Sequence, residues 1–183
     1  MPLLANFWGN WMQAQGTTFY RPLISLSLAL DYLIGGPNPL TFHISNWLYQ
    51  TVASCLMFLV AGQIGEHFRP NEKTLNRSLA LSAGVIFSVY PLHCEVVNWV
   101  IARVDSIALV FCLLSFWLYL KSTRSKNSLH YKLSLLAFVL GLMSKEMAVT
   151  LPPTLLLIQL LSTTTVDTKS AKGRLLTSLN QTK

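Results

Sequence analysis

The chain has 183 residues, 52% of them hydrophobic and 11% charged, with a formal net charge of +7 and a mean hydropathy of +0.45. That composition excludes an ordinary soluble domain, which would need a polar face on each helix, and describes an integral membrane protein. It also gives no reason to expect nucleic acid as a partner, because the cations fall in loops between apolar runs.

Apolar runs of roughly 17 to 25 residues mark spanning helices. Ahead of the first, Pro22 to Ile34 is apolar but too short to cross, and Asp31 interrupts it, so a helix lying at the membrane interface is expected. The first span runs from about Leu40 to Gly65, with His43, Asn46 and Gln50 in its opening turns. The second covers about Ser78 to Pro91. The third covers about Ile107 to Leu120 and begins earlier, since Val96 to Ile101 continues the pattern with Trp99 inside it. The fourth covers about Leu133 to Met143. A fifth, Met147 to Leu161, carries Pro152 and Pro153, which a membrane helix tolerates where neighbouring helices satisfy the freed carbonyls. The expected fold is all-α, a polytopic bundle of about five transmembrane helices plus the interfacial helix. It divides into an outer segment over residues 1–39, the bundle over 40–161 and a polar cytoplasmic tail over 162–183.

Eleven of the fourteen basic residues fall in the loop after the first span (Arg69, Lys73, Arg77), the loop after the third (Lys121, Arg124, Lys126, Lys132) and the tail. Arg21, Arg103 and Lys145 fall on the opposite side, matched by Asp31, Glu95, Asp105 and Glu146. The positive-inside bias puts the loops in the cytoplasm and the polar clusters outside. The expected location is the bacterial inner membrane, multi-pass, with the clusters facing outward. A chain that starts outside without a secretory signal needs an earlier anchor, so at least one upstream helix is expected.

Cys55 and Cys112 lie within apolar runs and read as small core residues; only Cys94 falls on the polar side, and no CxxC or Cys/His spacing implies a metal. No cofactor is assigned. Gly-rich phosphate loops, a GxSxG turn and repeats are absent, so soluble-enzyme chemistry is unsupported.

Three polar clusters sit beside membrane-length runs, where ionisable groups are expensive and usually functional. In the first, Arg21 precedes the interfacial helix. It is either part of an aromatic and basic belt with Trp8 and Trp11, or a phosphate contact, since a guanidinium matches a phosphate fork. Asp31 is expected to pair with it or with another outward cation. His43 and Asn46, at i and i+3, face one site or hydrogen-bond between helices. The second cluster runs from Pro91 to Asp105. If helical from Glu95, it lines up Glu95, Trp99 and Arg103 on one face, as an ion pair with an aromatic plate between or as a structural salt bridge. In the third, Lys145 and Glu146 either neutralise each other or join the others in one outward-facing site.

The strings Tyr20-Arg-Pro-Leu23, Leu30-Asp-Tyr32, Asn38-Pro39, Phe42-His43, Pro91-Leu-His-Cys-Glu95, Trp99, Arg103-Val-Asp105 and Ser144-Lys-Glu-Met-Ala-Val-Thr-Leu-Pro152 carry a resemblance. From about Phe19 to Leu161 the chain resembles the GT-C superfamily, and within it bacterial relatives of the protein O-mannosyltransferases and of the tetratricopeptide-containing transmembrane mannosyltransferases. The resemblance implies transfer of a sugar such as mannose from a polyprenyl-phosphate carrier to a protein hydroxyl or glycan on the non-cytoplasmic side. It implies that Arg21, Arg103 and Lys145 contact or balance the phosphate and that His93 bonds phosphate or sugar. Glu95, Asp105 and Glu146 would orient the cations.

Relatives commonly show Gly-Arg-Lys-Asp or Gly-Arg-Ala-Asp where this chain has Ala102-Arg-Val-Asp105, and His at Gln50. They also place a catalytic acid in the first outer loop, whereas residues 1–20 hold no Asp or Glu and Asp31 comes too late. The general base is therefore unassigned and expected upstream of Met1, in a longer protein that continues past Lys183. Two other function classes remain, a non-catalytic membrane assembly or scaffold protein and a transporter fragment. The transporter would carry ionisable groups near mid-span rather than at the outer ends.

Overall fold

The computed structural model describes residues 21–91, 93–125 and 127–161. These are helical throughout, with no strand among them. Helix α1 covers Pro22–Gly35, α2 Pro39–Phe68, α3 Lys73–Val89 and the short α4 His93–Asn98. A 3-10 turn, Val100–Ala102, leads into α5, Arg103–Ser125, followed by α6, Ser128–Ser144. A second 3-10 turn, Glu146–Thr150, runs into α7 over residues 151–161.

Local chemistry sets most of these ends. Pro22 and Pro39 stand in the first turns of α1 and α2, where a missing N–H costs nothing. Asn38 and Asn127 cap α2 and α6 by accepting from the N–H groups of Leu40 (3.0 Å) and Leu129 (2.9 Å). α1 stops at Gly36, whose φ of 62° suits a residue without a Cβ.

α2 and α3 form an antiparallel hairpin, and α5 packs against both α2 and α6. Small residues let these helices approach: Gly84 of α3 lies where a Cβ would come within 3.1 Å of the Phe58 Cβ. Gly65 faces Asn76, whose side-chain amide donates to the Arg69 carbonyl (2.7 Å) and ties off the hairpin turn. Between α5 and α6, Ser115 Oγ donates to the Ser134 carbonyl (2.8 Å) and Ser134 Oγ to the Ser115 carbonyl (2.9 Å), both buried. Interhelical bonds of this kind are worth about 0.6 kcal/mol each in membrane proteins. Ser115→Ala is expected to cost about 1 kcal/mol, read as a lower thermal midpoint in detergent; an unchanged midpoint would show that the serine pair does not hold α5 on α6.

Two helical stretches, Pro39–Phe68 and Val100–Ser125, are long and apolar enough to cross a bilayer. Only 17% and 39% of their most apolar windows are buried, whereas a soluble core helix would be mostly covered. Trp47, Leu48, Ile86 and Leu136 are among the large side chains left on the outer surface, as lipid contact requires. The described residues are all-α, and the chain is a membrane protein. α3 and α6 have 17 residues each, and the apolar helical run Glu146–Leu161 is also shorter than a full span.

Several expectations change. Pro152 and Pro153 lie in the first turn of α7, so no interior carbonyl is freed and no neighbour has to satisfy one. Asp31 does not interrupt its helix but sits buried inside α1. α1 packs through Ile24 and Leu28 against Val104 and Ile107 of α5. Cys55 is exposed on α2 and is no core residue. Trp8, Trp11, Lys126 and the tail lie outside the described residues.

Candidate functional site

The expected continuous helix through Glu95, Trp99 and Arg103 does not form. α4 ends at Asn98 and Trp99 takes extended angles (φ −98°, ψ 113°), so the three residues cannot share one helical face. The break is held from α2. Asn46, fully buried, aims its amide at the carbonyls of Val96 (3.4 Å) and Val97 (3.4 Å) near the end of α4 and of Trp99 (3.3 Å), the last of which also accepts from the Ala102 N–H (3.0 Å) of the 3-10 turn. His43, one turn earlier and half-buried, joins none of these bonds.

Arg103 opens α5 and has no solvent exposure. Its Nη1 donates to Asp31 Oδ2 (2.6 Å) and reaches Ser27 Oγ (3.5 Å) on α1; Nη2 donates to the Phe42 carbonyl (3.0 Å) of α2, and Nε to the Val100 carbonyl (3.3 Å). The guanidinium carbon also stands 5.7 Å from the Phe42 ring centroid. Ser45 Oγ donates to the other Asp31 oxygen at 2.6 Å. Arg103 is thus a buried junction of α1, α2 and α5, with every side-chain nitrogen turned to protein oxygens. Ser27, four residues before Asp31 on α1, was the one partner that helical spacing offered; backbone carbonyls leave no trace in a sequence.

Beside this junction several of the charged groups converge. An open groove of about 300 Å³ is lined by Arg21 ahead of α1, Glu95, Val96 and Trp99 at the end of α4, Asp105 in the first turn of α5, and Lys145 after α6. Ile101, Ala102 and Val104 complete it, apolar residues of the Pro91–Asp105 cluster that were not singled out as site residues. Arg21 Nη2 lies 3.2 Å from both Glu146 oxygens. Lys145 Nζ donates to Asp105. Lys145 and Glu146 thus form their ion pairs with different parts of the chain, Asp105 and Arg21, while the Lys145 charge still favours the ionised Glu146 carboxyl. Lys145 is placed by extended backbone (φ −154°, ψ 138°) that ends α6 and sends successive side chains apart.

The Glu146 carboxyl is held below the usual carboxylate range, first by its own backbone N–H and then by Arg21. Glu95 is exposed and makes no ion pair among the described residues. His93 is not in the groove. Its ring packs against Phe87 (4.3 Å between centroids) and Tyr90 (5.9 Å) at the junction of α3 and α4. Five of the residues singled out from sequence thus meet at one surface: Arg21, Glu95, Trp99, Asp105 and Lys145. Glu146 attends it through Arg21, while Asp31, His43, Asn46, His93 and Arg103 lie elsewhere.

The chain is 34% identical over 152 residues to "Protein O-mannosyl-transferase Tmtc1" of Drosophila melanogaster, covering 81% of this chain and 16% of that protein. It is 36% identical over 155 residues to "Protein O-mannosyl-transferase Tmtc2" of the same fly, covering 79% and 15%. With human "Protein O-mannosyl-transferase TMTC1" it shares 30% over 184 residues, covering 93% and 20%. The chain therefore spans only about a sixth of the length of the first two relatives. No solved structure matches it. Residues 22–179 match the family described as dolichyl-phosphate-mannose-protein mannosyltransferase. Because that match takes in α1 to α7 and all of the groove except Arg21, this chain belongs to the dolichyl-phosphate-mannose-protein mannosyltransferase family.

Proposed function

We propose that the groove receives the phosphate of a polyprenyl-phosphate sugar, and that the complete protein transfers that sugar, mannose by the names of its relatives, to a protein hydroxyl or glycan. The observation that carries this reading is the meeting of Arg21, Asp105 and Lys145, far apart in sequence, around one open groove with an aromatic wall at Trp99. A lipid-linked donor needs such a place: bilayer for its tail, cations for its phosphate, and water for its acceptor.

When the glycosidic bond to phosphate breaks, negative charge collects on the phosphate oxygens, and fixed cations stabilise it. Arg21 offers a planar pair of donors and Lys145 a point charge. Glu146 and Asp105 hold these cations in place before the donor arrives. The buried Arg103–Asp31 pair fixes the first turn of α5 against α1, and so the distance between the Asp105 and Arg21 walls. Glu95 is left to meet sugar hydroxyls, which carboxylates accept from. The residue that deprotonates the acceptor is proposed to lie in a part of the protein outside this chain.

Asp105 and Arg124 stand nineteen residues apart on α5, about 28 Å at 1.5 Å per residue, close to the hydrocarbon thickness of a bilayer. The proposed topology is multi-pass with the groove on the non-cytoplasmic face. The named relatives are animal proteins, and the proposal holds for whichever membrane carries the chain.

The test is binding of polyprenyl monophosphate to the chain in detergent. Binding that falls about tenfold in Arg21→Gln is expected for the loss of one charge-assisted contact. Absence of binding, or equal binding by wild type and variant, would leave a non-catalytic assembly protein as the better reading.

A further inference from the structure

At the other end of α5, helices α2, α3 and α5 part around a second open groove, of about 630 Å³. Lys73 and Arg77 of α3 and Lys121 and Arg124 of α5 line it, against a single carboxylate, Glu66 of α2. Arg124 pairs with Glu66, and the Lys121 ammonium rests 4.7 Å from the centroid of the Trp117 ring. Lys73 and Arg77 are exposed, one helical turn apart, and make no ion pair among the described residues. Like charges placed so closely repel, and an anion between them would relieve the repulsion.

The remaining wall is apolar. Phe58, Leu59, Gly62 and Ala80 continue the groove along the α2–α3 seam toward the middle of the helices. A free phosphate or sulfate would use only the charged rim. A molecule with an anionic head and a hydrocarbon tail would use both parts. Trp117 marks the level at which the two parts meet, as indole rings do at the headgroup boundary.

We propose that this groove binds an anionic phospholipid of the leaflet at the Lys- and Arg-rich end, its phosphate between Lys73, Arg77 and Lys121 and an acyl chain along the α2–α3 seam. The lipid would fasten α3 to α5, which otherwise meet at this end only across the open groove. This site is separate from the proposed carrier groove and stands whether or not that reading holds.

The experiment is native mass spectrometry of the full chain released from neutral detergent in the presence of phosphatidylserine or phosphatidylcholine. Wild type is expected to retain phosphatidylserine in clear preference. Each cation near an anionic headgroup is worth about fivefold in binding, so Lys73→Gln with Arg77→Gln is expected to lower phosphatidylserine retention roughly 25-fold. Lys132→Gln, an exposed cation of α6 outside the groove, is expected to leave retention unchanged. Both altered residues of the double variant are exposed, and an unchanged helical circular dichroism spectrum would confirm that it folds. Equal retention by wild type and the double variant would overturn the proposal. So would a wild type that does not distinguish the two lipids, the result expected if another segment of the protein covers the groove. Inorganic phosphate that raises the thermal midpoint as much as phosphatidylserine does would make this a free-anion site and overturn the lipid reading.

Discussion

Replacing Arg103 by Met is expected to cost 3–5 kcal/mol, approximately, and to leave little folded chain in detergent. The expectation follows from what the substitution strands. Asp31 is 5% exposed and would keep a buried carboxylate with only the Ser45 hydroxyl as its hydrogen-bond partner. The Phe42 and Val100 carbonyls would lose donors at the same time. Methionine has a similar reach and no charge, so the packing volume is roughly kept and the loss reports on the unpaired carboxylate. Arg103→Lys is expected to be intermediate, because one ammonium cannot serve acceptors on three sides that Nε, Nη1 and Nη2 now divide.

The double variant Arg103→Met with Asp31→Leu separates the contributions. Removing both charges of a buried pair is often neutral or stabilising, whereas removing one is strongly destabilising. The thermal midpoint of the double variant is therefore expected to recover most of what Arg103→Met loses. If Arg103→Met melted like wild type, or the double variant melted lower than the single, Arg103 would not be the junction described here.

The same residue shows where sequence reasoning stops. The apolar runs located α2 and the body of α5, since a membrane span announces itself by composition alone. They placed the start of α3 at Ser78, five residues after its true start at Lys73, because the first turn of a helix at a membrane surface can be polar. The alignment of Glu95, Trp99 and Arg103 failed for a different reason. Spacing at i, i+4 and i+8 means a shared face only while the helix continues, and at the break the carbonyls face Asn46, about fifty residues earlier in the chain. Which acid meets which base was likewise open. Asp31 takes Arg103, Glu146 takes Arg21 and Asp105 takes Lys145, a pattern set by helix packing and not by nearness in sequence. Arg21, Glu95, Asp105 and Lys145 of the groove were legible as charges beside apolar runs, whereas the role of Ile101, Ala102 and Val104 as its wall was not.

For Lys145 the expected loss lies in catalysis rather than folding. Its pair with Asp105 is partly solvated, with side-chain exposures of 28% and 49%, and such pairs contribute about 1 kcal/mol or less to stability. Its ammonium nevertheless stands at a groove that, in the proposed reaction, holds a phosphate gaining charge. Removing one fixed donor to a developing anion typically lowers kcat by about a hundredfold to a thousandfold. Lys145→Ala in the complete protein is therefore expected to lower sugar transfer by about a hundredfold, with little change in thermal midpoint. Lys126→Ala, which follows α5 in the sequence and lies outside the described residues, should behave as wild type. The split between kinetic constants carries the mechanism. A fall in kcat means that Lys145 acts on charge that appears as the bond breaks, whereas a rise in KM alone means that it only binds the carrier. Lys145→Arg keeps the charge and should retain part of the activity, because the longer, planar head still reaches phosphate but no longer fits Asp105 in the same way. Equal transfer by Lys145→Ala and Lys126→Ala would remove the groove from the reaction, and the Arg21–Glu146 and Lys145–Asp105 pairs would then be plain clasps between helix ends.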